Sequence, residues 1–571
     1  MRIKHFFGLA VIAAMTASCS SNNDLVNGGN GSGENESGES YASFSINLPT
    51  TSGTRAAGDP EFNQGTAKEY DVNDVTLLVF KKGTATSEGA YTFVESVDLG
   101  SMAPWKNPNE TGVTTHSKIT AQLKNVNTTD QFYALVLLNN GSGADIKVTL
   151  PSVDDKYSTW NSATKANTTF ANTEKGFYMA NAPLFDNTKK QVTTLVAIDK
   201  TKIYPTEAQA SAGAAAADIY VERGLAKVTL GTTTGDAKTV ADGTYASDKV
   251  TIKNWALDVT NEKTFPIHNV DGLSTDYEDI WKNQATASGA STQRFVDNNE
   301  STKAKRVYWG VDPNYKNNDL CKDDADGNTA REAEFTYVTK DKLTAELGSP
   351  LYCLENTFNL SNMKQGQTTR VIFKAKYTPN GFTENANFYK IGKNVQLWTE
   401  DNLTQNIKAA VTNVITSATD ANTTITLAGS DNDLTKAGNR LLKASNITVT
   451  GYTLQEADVT AINNKLGLSE GNGISTYESG DSYYIARIKH FGDALTPWSS
   501  GDYGSNNLAY LGRYGMLRNN WYELTVGKVS GPGYPDVPKV KPNTLDDEDD
   551  KYINVSVKIL DWAKRSQSVD L

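Results

Sequence analysis

The chain has 571 residues, 38% hydrophobic and 21% charged, which excludes both a multi-span membrane protein and a disordered polyampholyte and leaves room for several domains. Lys and Arg total 55 against 66 Asp and Glu, a net charge of −11 and the wrong sign for tracking a nucleic-acid backbone. Four His and three Cys cannot supply zinc fingers, iron–sulfur clusters or a His-rich metal centre.

In chain order, Met1-Arg2-Ile3-Lys4-His5 is basic, Phe6 to Met15 is apolar, and Thr16-Ala17-Ser18 leads to Cys19. A basic start, an apolar run well short of the about 20 residues that span a bilayer, and small exit residues describe a secretory signal. Small residues before a Cys resemble the lipobox of bacterial lipoproteins, so Cys19 is the expected lipidation site, although Thr16 stands where Leu is usual. An ordinary signal peptide with an incidental Cys is the alternative. Residues Ser20 to Ser40 are almost wholly Ser, Asn, Gly, Glu and Asp, and read as a tether that reaches about 70 Å when fully extended.

From Tyr41 onward short strands dominate. Phe44, Ile46 and Leu48 alternate with Ser43, Ser45 and Asn47, which predicts a strand with one buried face. Val75 to Phe80 and Phe132 to Leu138 are continuous apolar runs, as in strands covered on both faces. Further strands are expected over Val250 to Val259, Thr369 to Tyr377, Tyr483 to Ile488 and Trp521 to Val526, with turns such as Asn140-Gly141 and Asp242-Gly243 between the segments. Many short strands with turn signals predict a mainly β chain built from sandwiches. The Ala/Gly-rich stretch Ala208 to Ala217 places a domain boundary near residue 220. Two helices are expected in the second half. Leu403, Ile407, Val411, Val414 and Ile415 form one apolar stripe; the other helix begins at Thr453, with Glu456 completing a capping box, Val459, Ile462 and Leu466 as its apolar face and Gly467 as its stop.

Chemistry-bearing motifs are absent. His116, His268 and His490 have no metal-ligand spacing, and no G-x-S-x-G elbow, P-loop or Gly-rich dinucleotide turn occurs. The run Asp323 to Asn328 is similar to a calcium loop, but Lys322 fills the first ligand place and Ala333 the place of the bidentate Glu, so it reads as a solvated turn. Asp546 to Asp550 reads as a mobile acidic linker. No catalytic residue, metal or cofactor is expected, and the chain is read as a non-enzyme. Cys321 and Cys353 would meet an oxidising compartment and are candidates for a disulfide, which requires Cα atoms ~4.4–6.8 Å apart; the sequence leaves this open. The 26 Tyr, 18 Phe and 9 Trp could supply sugar-stacking platforms, so a glycan-binding outer-membrane surface lipoprotein is the alternative function; Tyr equally suits half-buried strands.

Several strings together resemble the fimbrial shaft subunits of the Bacteroidales, the FimA/Mfa-type or type V pilins. They are Val221-Glu222-Arg223-Gly224-Leu225-Ala226-Lys227-Val228, Trp255 to Asn261, Tyr308-Trp309-Gly310-Val311-Asp312-Pro313, Leu351 to Thr357, Gly515 to Tyr522 and Val555 to Trp562. The resemblance implies two β-sandwich (transthyretin-like) domains with a small helical insertion in the second. It also implies a lipoprotein precursor anchored in the outer membrane and cut by a trypsin-like protease beyond the first strand. Arg55, followed by Ala56 and flanked by small residues, is the expected cut, with Lys68 as runner-up. The expected organisation is signal peptide 1–19, propeptide 20–55, N-terminal sandwich 56–219, C-terminal sandwich 220–540 with the insertion at about 402–470, and linker plus donor strand 541–571. Identical subunits, fimbrial anchor and tip subunits and the protease are the implied partners; adhesion and biofilm formation are the implied role.

The tail carries the expected donor. Gly531 to Pro538 is too rich in Pro and Gly to continue a central strand. Beyond the acidic run, Ile553, Val555, Val557 and Ile559 alternate with Asn554, Ser556 and Lys558. Alternation alone suits pairing within the strand's own domain as well as donation to a neighbour.

Overall fold

The alternation at Phe44 becomes strand β1 (Ser40–Pro49), in which Ala42, Phe44, Ile46 and Leu48 are at most 1% exposed. The computed structural model describes residues 33, 38–49, 65–102, 113–141, 146–162, 165–166, 176–186, 191–271, 305–491, 496, 510–547, 553–560 and 565–566. After β1 come the short helix α1 (Ala67–Tyr70) and strands β2 (Val75–Lys81), β3 (Thr92–Gly100), β4 (Val113–Leu123), β5 (Phe132–Leu138) and β6 (Met179–Asn181). Helix α2 (Glu207–Ala212), capped by the Thr206 hydroxyl, and strand β7 (Ala217–Arg223) follow. These strands form one sheet in the order β3-β2-β5-β6-β7-β1-β4, with Val196–Ala197 also pairing β5. Phe44 and Ile46 near one end of that order and Leu77 and Val79 near the other share one buried cluster with Leu123, Val136 and Ile219. The sheet therefore folds over its own core in two layers.

At Gly224 the chain leaves this sheet for the next. Strand β8 (Leu225–Leu230) lies between β10 (Leu351–Leu354) and β15 (Trp521–Val529), while β9 (Lys249–Asp258), β11 (Arg370–Thr378) and β14 (Asp481–Arg487) form a second antiparallel layer. Val228, Tyr522, Leu524 and Val526 of one layer meet Val250, Ile252, Trp255, Phe373 and Tyr484 of the other in a shared core. The chain is mainly β, as its turn-punctuated apolar runs predict. The expected strands lie within two or three residues of the observed ones.

Helix α3 (Ala325–Glu334) occupies the run expected to be a solvated turn. Asp324 caps it, its carboxylate accepting the Gly327 amide at 2.7 Å, so acids that looked like a loop mark a helix start. The two helices expected in the second half pack a core of their own. Helix α4 (Glu400–Val414) buries Leu403, Ile407, Ala410 and Val411, and α5 (Glu456–Lys465) adds Ile462, against Tyr389 and Ile391 of β12 (Phe388–Ile391) and Ile474 of β13 (Ile474–Tyr477). Helix α5 starts later than expected, because Gln455 and Asp458 form the capping box in place of Thr453 and Glu456. The chain closes with β16 (Ile553–Leu560) and β17 (Arg565–Ser566), giving the order β10-β8-β15-β16-β17. Among the described residues no helix is long and apolar enough to cross a membrane.

Candidate functional site

Strand β1 is an interior strand. Phe44 to Asn47 pair in parallel with Ala217 to Tyr220 of β7, and Ser40 to Leu48 pair antiparallel with Leu123 to Thr115 of β4. Its polar face is also engaged. The Ser43 hydroxyl donates to the Ala210 carbonyl at 2.6 Å, and Asn47 Nδ2 donates to Asp218 Oδ1 at 2.5 Å. Taking β1 out would expose the backbone edges of both β4 and β7 and leave an apolar slot the length of four alternating side chains. Filling that slot with Phe44, Ile46 and Leu48 is worth about 1.5–3 kcal/mol per side chain. Cys19, Arg55 and Ala56 lie outside the described residues, as does Lys551-Tyr552 ahead of β16.

The first element beyond residues 50–64 is pinned to the second sheet. Lys227 Nζ of β8 sits 2.7 Å from Glu69 Oε1 of α1, with both side chains at most 5% exposed. Tyr352 Oη donates to the same carboxylate at 2.6 Å, the Thr66 amide donates to it at 2.7 Å, and Lys227 Nζ lies 3.7 Å from the Trp521 ring centre. Burial pushes the Glu69 pKa up, but the Lys227 ammonium and the hydrogen bonds outweigh it, leaving the group below its ordinary value. Nothing in the local sequence announces this pair.

The strings that carried the resemblance converge in one buried polar network beside it. Asn261 Nδ2 donates to Asp312 Oδ2 and to the Glu355 carbonyl, both at 2.6 Å. The Thr357 amide reaches Asp312 at 2.8 Å, and Arg518 Nε reaches Glu355 at 3.2 Å. Asn356 and Met516 exchange backbone hydrogen bonds, and Asn519 and Asn520 join Leu225 and Lys227. Asp312 and one oxygen of Glu355 are held by structural donors, so these residues fix loops between strands. His268 pairs with Glu222 at 2.7 Å and His490 with the Tyr522 hydroxyl at 2.7 Å, both inside the core.

The expected donor strand is docked at home. Strand β16 pairs antiparallel with β15, setting Val555, Val557 and Ile559 opposite the buried Val526, Leu524 and Tyr522, and Ile553 opposite Val529. Of the two readings left open by alternation, the structure shows pairing within the chain. The segment before it differs from expectation. Residues 531–547 form a fixed strap: Tyr484 and Tyr477 hydroxyls donate to the Gly531 and Gly533 carbonyls, Arg370 to the Pro538 carbonyl, and the Gln365 amide to the Thr544 carbonyl. Close approach demands glycine here. A Cβ on Gly366 would stand 2.4 Å from the Leu320 carbonyl oxygen and 2.9 Å from that of Pro542, and one on Gly533 would meet the Tyr483 carbonyl oxygen at 2.2 Å. Asp546, expected in a mobile linker, is fully buried 3.4 Å from Arg487, and Asp547 lies 2.8 Å from Arg513 with the Tyr514 hydroxyl at 2.9 Å. Their arginines come from distant parts of the chain, which is why the acidic run looked solvated.

Cys321 ends a short turn at Asn318–Cys321 and Cys353 sits in β10; both are buried free thiols, so the disulfide considered from sequence is not formed. Burial pushes the Cys321 thiol up to about 11 and the Cys353 thiol to about 12. A surface pocket of about 550 Å³ is lined by Asn318, Lys322, Asp324, Asn362, Lys364 and Asn543 among others, with no aromatic ring of the kind the glycan reading asks for. Among the described residues no cluster of His, Cys, Asp and Glu could hold a metal ion.

No curated protein sequence matches the chain. Two solved Parabacteroides distasonis proteins assigned to cell adhesion align with it. One is 10% identical over 92% of this chain and 99% of its own, with a TM-score of 0.37. The other is 12% identical over 91% and 100%, with a TM-score of 0.33. A fimbrial assembly protein of the same organism aligns at 12% identity over 63% and 97%, with a TM-score of 0.24. Scores this low add nothing to the fold described above. The sequence match is more specific: residues 475–568, from β13 through the strap to β17, match the C-terminal region of the major fimbrial subunit protein type IV family, the fimbrillins, and the resemblance to fimbrial subunits holds over that stretch.

Proposed function

We propose that this chain is a structural subunit of a cell-surface fimbria, exported as an outer-membrane lipoprotein precursor and activated by one cut after Arg55. The cut releases the lipid on Cys19, the tether and β1 together. The vacated slot between β4 and β7 then accepts the β16 strand of another copy by strand addition. Such a contact is head-to-tail and does not close, so it propagates as a filament. Identical subunits form the shaft, which serves adhesion and biofilm formation and meets separate anchor and tip subunits at its ends.

The carrying observation is the position of β1. It is an interior strand with both backbone edges paired and four buried side chains, and a short segment containing Arg55 joins it to the rest of the chain. One cleavage can therefore open a complete strand-sized groove. Limited trypsin treatment of purified precursor should yield ladders that resist mild denaturant, and Arg55→Ala should stay monomeric. Ladders from uncut precursor would overturn the reading. Palmitate labelling should be present in wild type and absent in Cys19→Ala; an unlabelled wild type would remove the lipid from the account.

A further inference from the structure

We infer that the donor strand enters the neighbouring copy in the direction and register of β1, so that Lys558 takes the place of Asn47 and pairs with Asp218 of the acceptor copy. This rests on the strand-exchange reading above and names what sets its register.

Aligned in that register, Ile553, Val555, Val557 and Ile559 fall on Ala42, Phe44, Ile46 and Leu48, the four buried apolar positions. Tyr552 falls on Tyr41 and Ser556 on Ser45, two identities in the intervening positions. Lys551 falls on Ser40, the fully buried terminal residue of β1, whose hydroxyl donates to the Val126 carbonyl at 3.1 Å, so this register also sets one ammonium at a buried site, against a carbonyl acceptor. Asn554 replaces Ser43, a polar side chain for a polar one.

Each two-residue shift puts a charge at a buried position that an apolar side chain fills in β1. A shift of two residues one way places Asp561 at Leu48, which is 1% exposed; the opposite shift places Lys551 at Ala42, which is fully buried. Reversing the strand direction while keeping the apolar positions filled puts Lys558 at Ser43. That site is fully buried and closed by the Ala210 carbonyl and the Thr120 hydroxyl, 2.6 and 2.8 Å from the Ser43 oxygen. An unpaired buried charge is far costlier than an exposed one.

The chosen register gives Lys558 a partner. Asn47 Nδ2 stands 2.5 Å from Asp218 Oδ1, on β7, and Asp218 is exposed, so a longer cationic side chain at this position reaches the carboxylate without desolvating it fully. Within its own chain Lys558 lies opposite Glu523 of β15. The lysine thus exchanges one acidic neighbour for another as the strand moves between copies. Rim charges of this kind act more on register and partner choice than on raw affinity.

The test is a charge swap in the full-length chain, cleaved with trypsin and followed by ladder yield. Asp218→Lys and Lys558→Glu should each lower the yield at least about tenfold, because each sets like charges face to face. The double variant, in which every donor and acceptor carries the reversed pair, should recover to within about threefold of wild type. Lys558→Glu alone also opposes Glu523, so the double variant compared with Asp218→Lys alone decides. A double variant no better than Asp218→Lys, or an Asp218→Lys chain that ladders like wild type, overturns the register while leaving strand exchange standing. A cleaved wild type that forms no ladder overturns both.

Discussion

Replacing Lys227 with Met tests whether the junction between the first described helix and the second sheet is held by charge. Methionine keeps most of the stem that packs beside Trp521 but leaves the Glu69 carboxylate, 2% exposed, without its counter-charge. Breaking a buried pair by removing one partner costs about 3–5 kcal/mol. The lower end applies here, because the Tyr352 hydroxyl and Thr66 amide still donate to Glu69. The pH dependence follows from sign. The Glu69 pKa is depressed below its ordinary 4.5 in the folded chain, so the pair's contribution is present above that value and is lost as pH falls through the depressed one. In Lys227→Met the carboxyl is buried without an ammonium and its pKa rises instead, so the deficit against wild type narrows on acidification from pH 7 toward pH 5. Urea unfolding at both pH values measures this, with Glu69→Gln/Lys227→Met completing a double-mutant cycle. A loss under about 1 kcal/mol at pH 7, or a deficit that widens in acid, would refute the reasoning.

Phe44→Ala should destabilise the uncut precursor by about 3–5 kcal/mol, measured by urea melts, and leave assembled fibres unaffected because β1 has gone; equal effects on both would contradict its removal. The thiols of Cys321 and Cys353, buried and pushed up to about 11 and 12, should resist alkylation by iodoacetamide at pH 8 in the native chain and react after unfolding, with mass spectrometry counting the adducts. Deleting Ile553 to Leu571 should give monomers that are cut but form no ladders, and Val555→Asp with Val557→Asp should do likewise by putting two carboxylates in an apolar slot. Normal ladders from either chain would rule out this strand as donor.

Much of the β architecture was legible because a strand's period is local. Phe44, Ile46 and Leu48 show a buried face without reference to anything else, and the apolar run Phe132 to Leu138 shows a strand covered on both sides. Which strand pairs with which is not local. Ile553 to Ile559 announces an apolar face, yet alternation could not say that the strand pairs with β15 of the same chain. The same limit hid the ion pairs. Asp546 and Asp547 look solvated until Arg487 arrives from β14 and Arg513 from a loop, and Glu69 meets Lys227 only where α1 packs on the second sheet. The resemblance strings were readable as strings, but the meeting of Asn261, Asp312, Glu355 and Arg518 needed the topology.

The most direct test of the central claim is the N-terminus of the subunit in fibres sheared from the cell surface. Mass spectrometry should find chains that begin at Ala56, with the peptide Ser40 to Pro49 absent and Ile553 to Leu560 present. Fibres whose subunits begin near Ser20 and retain Phe44, Ile46 and Leu48 would contradict it, since the slot between β4 and β7 would still be filled by its own strand.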